Sequence, residues 1–129
     1  MREVAAPPRT SKPRDVAIAW EYDVDVAVRR AAREHRPLLV AACAQWSTAC
    51  LGRVALFEDA AVVRATQPYV ALAVDLTDDT PEANALVARF HLRGVPTIVL
   101  VAPDGRETQI GGIVDAPEIV DALGEFVSR

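Results

Sequence analysis

Cysteine, aromatic residues and excess positive charge are all scarce in this chain. It contains two cysteines and 5% aromatic residues in 129 positions, and its formal net charge is -4. Two cysteines exclude a framework of several disulfides, and so small a number agrees with a reducing compartment. The lack of a basic excess argues against binding to DNA, RNA or an anionic membrane. Small molecules or proteins are therefore the expected partners.

Long hydrophobic runs are also missing. The longest apolar stretches cover residues 37–44 and 95–102, whereas a membrane helix needs about 20 apolar residues. Residues 1–14 contain three prolines and no continuous apolar segment, so they do not form a secretory signal peptide. We expect a flexible leader over residues 1–14 and one domain over residues 15–129. If Met1 is the native start, we expect a cytoplasmic protein; if the chain is an excised domain, a periplasmic location stays open.

Local patterns predict that strands and helices alternate along the domain. Strands are predicted over residues 16–20, 38–44, 69–76, 97–101 and 106–110, and helices over residues 24–35, 47–57, 59–66, 80–90 and 115–127. Asp23, Ser47, Asp59 and Thr80 are the expected N-caps of the first four helices, and Glu118 completes a capping box in the last. Strands separated by helices form parallel sheets, and the final hairpin adds an antiparallel edge. The fold class is therefore α/β.

Two short segments resemble thioredoxin, and more closely the C-terminal domain of the bacterial thiol:disulfide interchange protein. The first segment covers residues 36–50 and ends in Trp46-Ser47-Thr48-Ala49-Cys50, and the second is Arg93-Gly94-Val95-Pro96-Thr97. The resemblance spans about residues 16–127. It implies a thioredoxin fold, a central mixed β-sheet flanked by helices, with Pro96 in a cis peptide bond. It also implies a groove that binds an extended peptide or protein partner through Trp46, Val95 and Pro96.

Position 47 departs from the redox-active members of that family, which carry cysteine there. A CxxC motif works because one thiolate attacks a disulfide and the second thiol resolves the mixed disulfide. Ser47 can do neither. Other departures surround the site: Ala41 and Ala73 stand where thioredoxin keeps an acid and a lysine, Leu51 replaces a basic residue and Cys43 replaces an aromatic one. These changes predict a binding protein whose dithiol exchange is lost or reduced to monothiol chemistry at Cys50.

Several alternatives remain open for the individual side chains. Cys50 is a shielded core residue or a reactive thiol, and Ser47 is a simple N-cap or stands at the nucleophile position without a base beside it. His35 and His91 are expected at helix ends, where His91 can act as a left-handed cap. A disulfide between Cys43 and Cys50 requires the right Cβ geometry.

Two further functions are weighed against the binding protein. One is a thiol-disulfide oxidoreductase in which Ser47 is an engineered replacement for cysteine, or is bypassed by Cys43 and Cys50. The other is a structural or regulatory subunit that uses an edge strand or exposed helices. We expect no cofactor and no metal, because the spacing of the two cysteines and two histidines fits no zinc motif.

Overall fold

The computed structural model describes residues 17–112 and 114–128, in which helices and strands alternate. The strands are β1 (Trp20–Glu21), β2 (Leu38–Cys43), β3 (Val70–Asp75), β4 (Thr97–Val101) and β5 (Glu107–Gly111). The helices are α1 (Val24–Glu34), α2 (Thr48–Leu56), α3 (Ala60–Thr66), α4 (Pro81–Phe90) and α5 (Ala116–Ser128). The leader predicted over residues 1–14 lies outside the described residues. None of the described helices combines the length and hydrophobicity that crossing a membrane requires.

The five strands form one mixed sheet in the order β1-β3-β2-β4-β5. β3 pairs in parallel with β1 and β2, while β4 pairs antiparallel with β2 and β5. The predicted parallel portion and antiparallel hairpin are therefore both confirmed. β2 lies at the centre of the sheet, which explains why it is apolar along its whole length.

Side-chain caps fix where the helices begin. The Asp23 carboxylate accepts hydrogen bonds from the N–H groups of Asp25 and Val26, and the Asp59 carboxylate caps α3 in the same way. At α4 the Thr80 hydroxyl accepts one N–H, from Ala83. At α5, Asp115 and Glu118 accept each other's backbone N–H at 3.0 Å. The predicted caps and capping box are confirmed because they depend only on neighbours in sequence.

The first strand is shorter than predicted. β1 covers only Trp20 and Glu21, which pair with Ala71 and Leu72 of β3. Of the strand predicted over residues 16–20, residues 17–19 lie outside any strand and residue 16 is not described. A strand exists only where its backbone finds a partner, and β1 finds one at two positions.

Alternate side chains of the sheet enter two separate hydrophobic cores. On one face, Leu38, Val40 and Ala42 of β2 pack with residues of α1 and α4. On the other face, Leu39 of β2 and Ile98 of β4 pack with α3 and α5. The sheet is thus covered by helices on both sides, and both ends of β2 are fixed by its two neighbouring strands.

The buried Tyr69 side chain makes the stability of this fold decrease as pH rises in the alkaline range. Its side chain is 3% exposed and its hydroxyl donates a hydrogen bond of 2.6 Å to the carbonyl of Leu123. Burial raises the pKa of Tyr69 from 10.0 to about 12. The unfolded chain therefore loses this proton first, so the contribution of Tyr69 is complete below pH 10 and is lost as pH rises from 10 towards 12.

We expect the free energy of unfolding to fall by up to about 1.4 kcal/mol per pH unit in that window because of this one group. Urea unfolding of the wild type and of Tyr69→Phe, compared from about pH 8 to about pH 11, measures the difference. The control is Tyr22→Phe, since the Tyr22 side chain is 77% exposed. An equal loss of stability in the wild type and in Tyr69→Phe would contradict the assignment.

Candidate functional site

A disulfide joins the end of β2 to the first turn of α2. Cys43 is the last residue of β2, Cys50 is the third residue of α2, and their sulfurs are bonded with a Cα–Cα distance of 5.7 Å. Cys50 is 7% exposed, whereas Cys43 is half-buried. The described residues contain no free cysteine. The predictions of an inert core thiol or a lone reactive thiol at Cys50 are therefore wrong, and the disulfide left open by the sequence is present.

The strand and the helix bring the two sulfurs together from opposite sides of a short turn. Ser47 donates its backbone N–H to the carbonyl of Ala44 at 3.1 Å, which closes the turn. Its side-chain oxygen accepts the N–H of Cys50 at 3.4 Å, so Ser47 is the N-cap of α2. The backbone N–H of Ala44 also points to the sulfur of Cys50 at 3.4 Å.

These contacts change how Ser47 is interpreted. From the sequence alone, position 47 decides whether the protein can exchange disulfides, because the redox-active members of the resembled family carry cysteine there. In the structure the sulfur of Cys50 is bonded to Cys43 instead. The presence of serine at position 47 therefore does not remove the possibility of a redox-active pair, and the interpretation of Ser47 as a disabling replacement is not supported.

The turn between the cysteines is attached to the loop that follows β3. Thr77 accepts the N–H of Gln45 on its hydroxyl oxygen at 2.9 Å and the indole N–H of Trp46 on its carbonyl oxygen at 3.0 Å. Thr77 in turn donates both its backbone N–H, at 2.9 Å, and its hydroxyl to the carboxylate of Asp75. The hydroxyl and N–H of Thr77 hold the pKa of Asp75 below its usual value. Trp46 stays 66% exposed.

The proline loop approaches the same end of the sheet. The Val95–Pro96 peptide bond is cis, as the family resemblance implied. Pro96 is buried and Val95 is half-buried. Because Thr97 pairs with Ala42 in antiparallel register, Pro96 comes next to Cys43 along the ladder. The structure thus brings Val95 and Pro96 to the end of the sheet that carries the disulfide.

Arg53 fixes α2 from its buried side. It is 6% exposed and donates a hydrogen bond of 2.8 Å from its guanidinium to the carbonyl of Gly112, just after β5. Burial lowers the pKa of Arg53. Since Arg53 lies one turn after Cys50, this contact ties the cysteine-bearing helix to the far edge of the sheet.

Both histidines lie at helix ends, and among the described residues neither forms a hydrogen bond with Ser47. His35 and His91 end α1 and α4 in the left-handed conformation, with φ angles of 54° and 56°. The capping role expected for His91 is confirmed, and its ring also lies 3.4 Å from the carboxylate of Glu107. His35 precedes the start of β2, at the opposite end from Cys43. Among residues 17–112 and 114–128, no three metal-ligating side chains are grouped to hold an ion.

Sequence reasoning missed three residues of this site: Asp75, Thr77 and Arg53. A signal for the first two exists, because β2 and β3 were both predicted and the carboxyl ends of parallel strands meet at one edge. Polar residues at the end of β3 and just after it, such as Asp75 and Thr77, therefore had to lie near the end of β2. For Arg53 the signal is its spacing of three residues from Cys50, which places both on one helix face.

The sheet order, the disulfide at the start of α2 and the cis-proline loop define a thioredoxin-fold domain with a bonded cysteine pair at one end of its sheet. A family profile described as Thioredoxin-like matches residues 19–103. The chain belongs to this thioredoxin-like family.

Individual relatives agree with the family. The chain is 34% identical over 89 residues to a thiol:disulfide interchange protein DsbD of Ralstonia nicotianae, an alignment that covers 68% of this chain and 15% of the relative. It is 30% identical over 112 residues to thiol:disulfide interchange protein DsbD 1 of Pseudomonas aeruginosa, covering 82% of this chain and 19% of the relative. The chain therefore spans less than a fifth of these curated relatives.

The solved structures point to one part of such proteins. The oxidised C-terminal domain of Neisseria meningitidis DsbD is similar with a TM-score of 0.71 and 25% identity, over 83% of this chain and 98% of that domain. A thioredoxin from Thermus thermophilus matches with a TM-score of 0.70 and 23% identity, over 86% of this chain and 88% of that one. The second similarity shows the shared fold alone.

Proposed function

We propose that this chain exchanges dithiols and disulfides with a protein partner through the pair Cys43 and Cys50. The observation that carries the proposal is the bond between these two sulfurs at the end of β2, beside the cis-proline loop. The similarity to thiol:disulfide interchange proteins supports the same class of reaction. This function corresponds to the alternative in which the exchange uses Cys43 and Cys50 and needs no cysteine at position 47.

The two cysteines differ in solvent accessibility, and this difference determines which sulfur an incoming thiolate attacks. Cys43 is half-buried and Cys50 is 7% exposed, so an incoming thiolate reaches Cys43 first. Cys50 then leaves as the thiolate. The N–H of Ala44 lies 3.4 Å from its sulfur, and the N-terminal end of α2 favours a negative charge there. A stabilised leaving thiolate makes the exchange faster.

The reaction balances as a transfer of two electrons. One thiolate of the partner attacks Cys43, the Cys43–Cys50 bond breaks, and a mixed disulfide forms between Cys43 and the partner. The second thiolate of the partner attacks the partner's own sulfur in that mixed disulfide, and Cys43 leaves and takes a proton from solvent. The partner's dithiol becomes a disulfide while this chain is reduced. The reverse sequence reduces a partner disulfide, and neither direction requires a cofactor.

We also propose that the partner is an extended polypeptide that contacts Trp46 and the Val95–Pro96 loop. The exposure of Trp46 supports this role, since a large aromatic surface is available next to the disulfide. An oxidising compartment such as the periplasm suits the reaction, because disulfides persist there.

Titration of the two cysteines in thiol buffers tests the proposal. We expect the oxidised protein to take up no iodoacetamide and the reduced protein to take up two equivalents, in one two-electron transition between about −320 and about −120 mV. Mass spectrometry after acid quenching counts the labels, and peptide mapping assigns them to Cys43 and Cys50. Labelling of one cysteine in the oxidised protein, or the absence of any transition in this range, would contradict the proposal.

A further inference from the structure

We propose that Thr77 is a positioning residue for the cysteine pair, and that it sets how strongly the Cys43–Cys50 disulfide is favoured over two thiols. The inference rests on the proposed function, since it concerns the same pair. Thr77 lies in the loop after β3, and its hydrogen bonds go to Gln45, Trp46 and Asp75. It acts through Gln45 and Trp46, which lie between the two cysteines.

Both the side chain and the backbone of Thr77 hold this turn. Its hydroxyl oxygen accepts the N–H of Gln45 at 2.9 Å, and its carbonyl oxygen accepts the indole N–H of Trp46 at 3.0 Å. The two contacts engage consecutive residues of a segment that is only six residues long between the cysteines. Few conformations of the turn satisfy both contacts at once, so the path from Cys43 to Ser47 is fixed.

Asp75 fixes the orientation of the Thr77 hydroxyl. A hydroxyl has one proton to donate, and Thr77 donates it to the carboxylate of Asp75, which also accepts the Thr77 backbone N–H at 2.9 Å. The lone pairs of the hydroxyl oxygen therefore remain available to the N–H of Gln45. Asp75 is itself the register partner of Cys43 in the parallel β2–β3 ladder. Asp75 and Thr77 therefore connect the β3 residue that pairs with Cys43 to the turn between the two cysteines.

The contacts of Thr77 matter most in the reduced protein, because no covalent bond then holds the two sulfurs together. Two thiols form a disulfide more readily when the protein holds them close together, because their effective concentration is high. In the reduced protein the β2–β3 ladder still holds Cys43, and the turn clamped by Thr77 keeps α2 and Cys50 near it. Without the clamp the turn gains freedom, the thiols separate more often, and the reduced state is favoured.

Substitution of Thr77 by valine tests the inference, because valine keeps the shape and removes the hydroxyl. We expect Thr77→Val to lower the equilibrium constant for disulfide formation against glutathione by about threefold to tenfold. This corresponds to a midpoint about 15 to 30 mV less negative, since a tenfold change is 29.6 mV for a two-electron couple. Thr77→Ser retains the hydroxyl and should stay within about twofold of the wild type. Thr108→Val, on β5, is the matched control and should leave the constant unchanged.

The outcomes separate this inference from the proposed function. If the wild type shows no Cys43–Cys50 transition, the proposed function fails. If the wild type has the transition and Thr77→Val titrates at the same midpoint, the positioning role is overturned. Should Thr77→Val not fold, Asp75→Ala gives the same test, because it frees the Thr77 hydroxyl from its fixed orientation. An unchanged constant in that variant overturns the inference, and a shift of the same sign supports it.

Discussion

Cys43→Ser and Cys50→Ser should each reduce turnover of a model disulfide by at least about a hundredfold, since each removes one sulfur of the pair proposed to act as a unit. The double variant should be no worse than either single variant, because a broken pair has no remaining function to lose. Turnover is measured with a disulfide-linked fluorescent peptide and a thiol reductant, with the uncatalysed rate subtracted.

Ser47→Ala provides the matched control for the cysteine variants. It removes the side-chain oxygen that caps α2 at 3.4 Å from the N–H of Cys50, which should cost about 1 kcal/mol of stability. Its turnover should remain within about threefold of the wild type, because both sulfurs are still present. Loss of turnover in Ser47→Ala combined with retained turnover in Cys43→Ser would show that the chemistry does not depend on the Cys43–Cys50 pair.

The second large effect concerns the core that supports the site. Leu39→Ala should lower the free energy of unfolding by about 3 kcal/mol, because the side chain is fully buried in the central strand and its removal leaves a cavity. Leu51→Ala makes the same chemical change at a residue that is 65% exposed, and it should change stability by less than about 0.5 kcal/mol.

Urea unfolding of both variants measures these differences, and it is done without reductant so that the disulfide is intact in every sample. Similar losses for the two leucines would mean that β2 is not buried on both faces as the structure describes.

Leu51 lies directly after Cys50, so its variant also serves in the turnover assay. There it reports whether an exposed apolar side chain beside the disulfide contributes to substrate affinity.

At the candidate site, the conflict between the sequence and the structure concerns the cysteines. The resemblance placed the expected nucleophile at position 47, and serine at that position predicted a loss of dithiol exchange. The bond between Cys43 and Cys50 joins a residue on the strand to one on the helix. Residue spacing alone could not choose between a bonded pair and two separate thiols, because the choice depends on where the first turn of α2 lies above β2.

The features that the sequence by itself determined depend on interactions between residues close together in the chain. Caps at Asp23, Asp59 and Thr80, the apolar continuity of β2 and the capping box of α5 act between residues a few positions apart, so the order of elements and the mixed sheet could be predicted. The cis bond before Pro96 was expected from the family resemblance, and the structure has it.

Only the tertiary structure decided which side chains meet at the end of the sheet. Thr77 reaches Gln45 and Trp46 across more than thirty residues, and Arg53 reaches Gly112 across 59. The extent of β1 was likewise set by the two residues of β3 that it pairs with. Contacts of this kind depend on the register of neighbouring strands and on how a helix packs above them, and neither leaves a periodic pattern in the sequence.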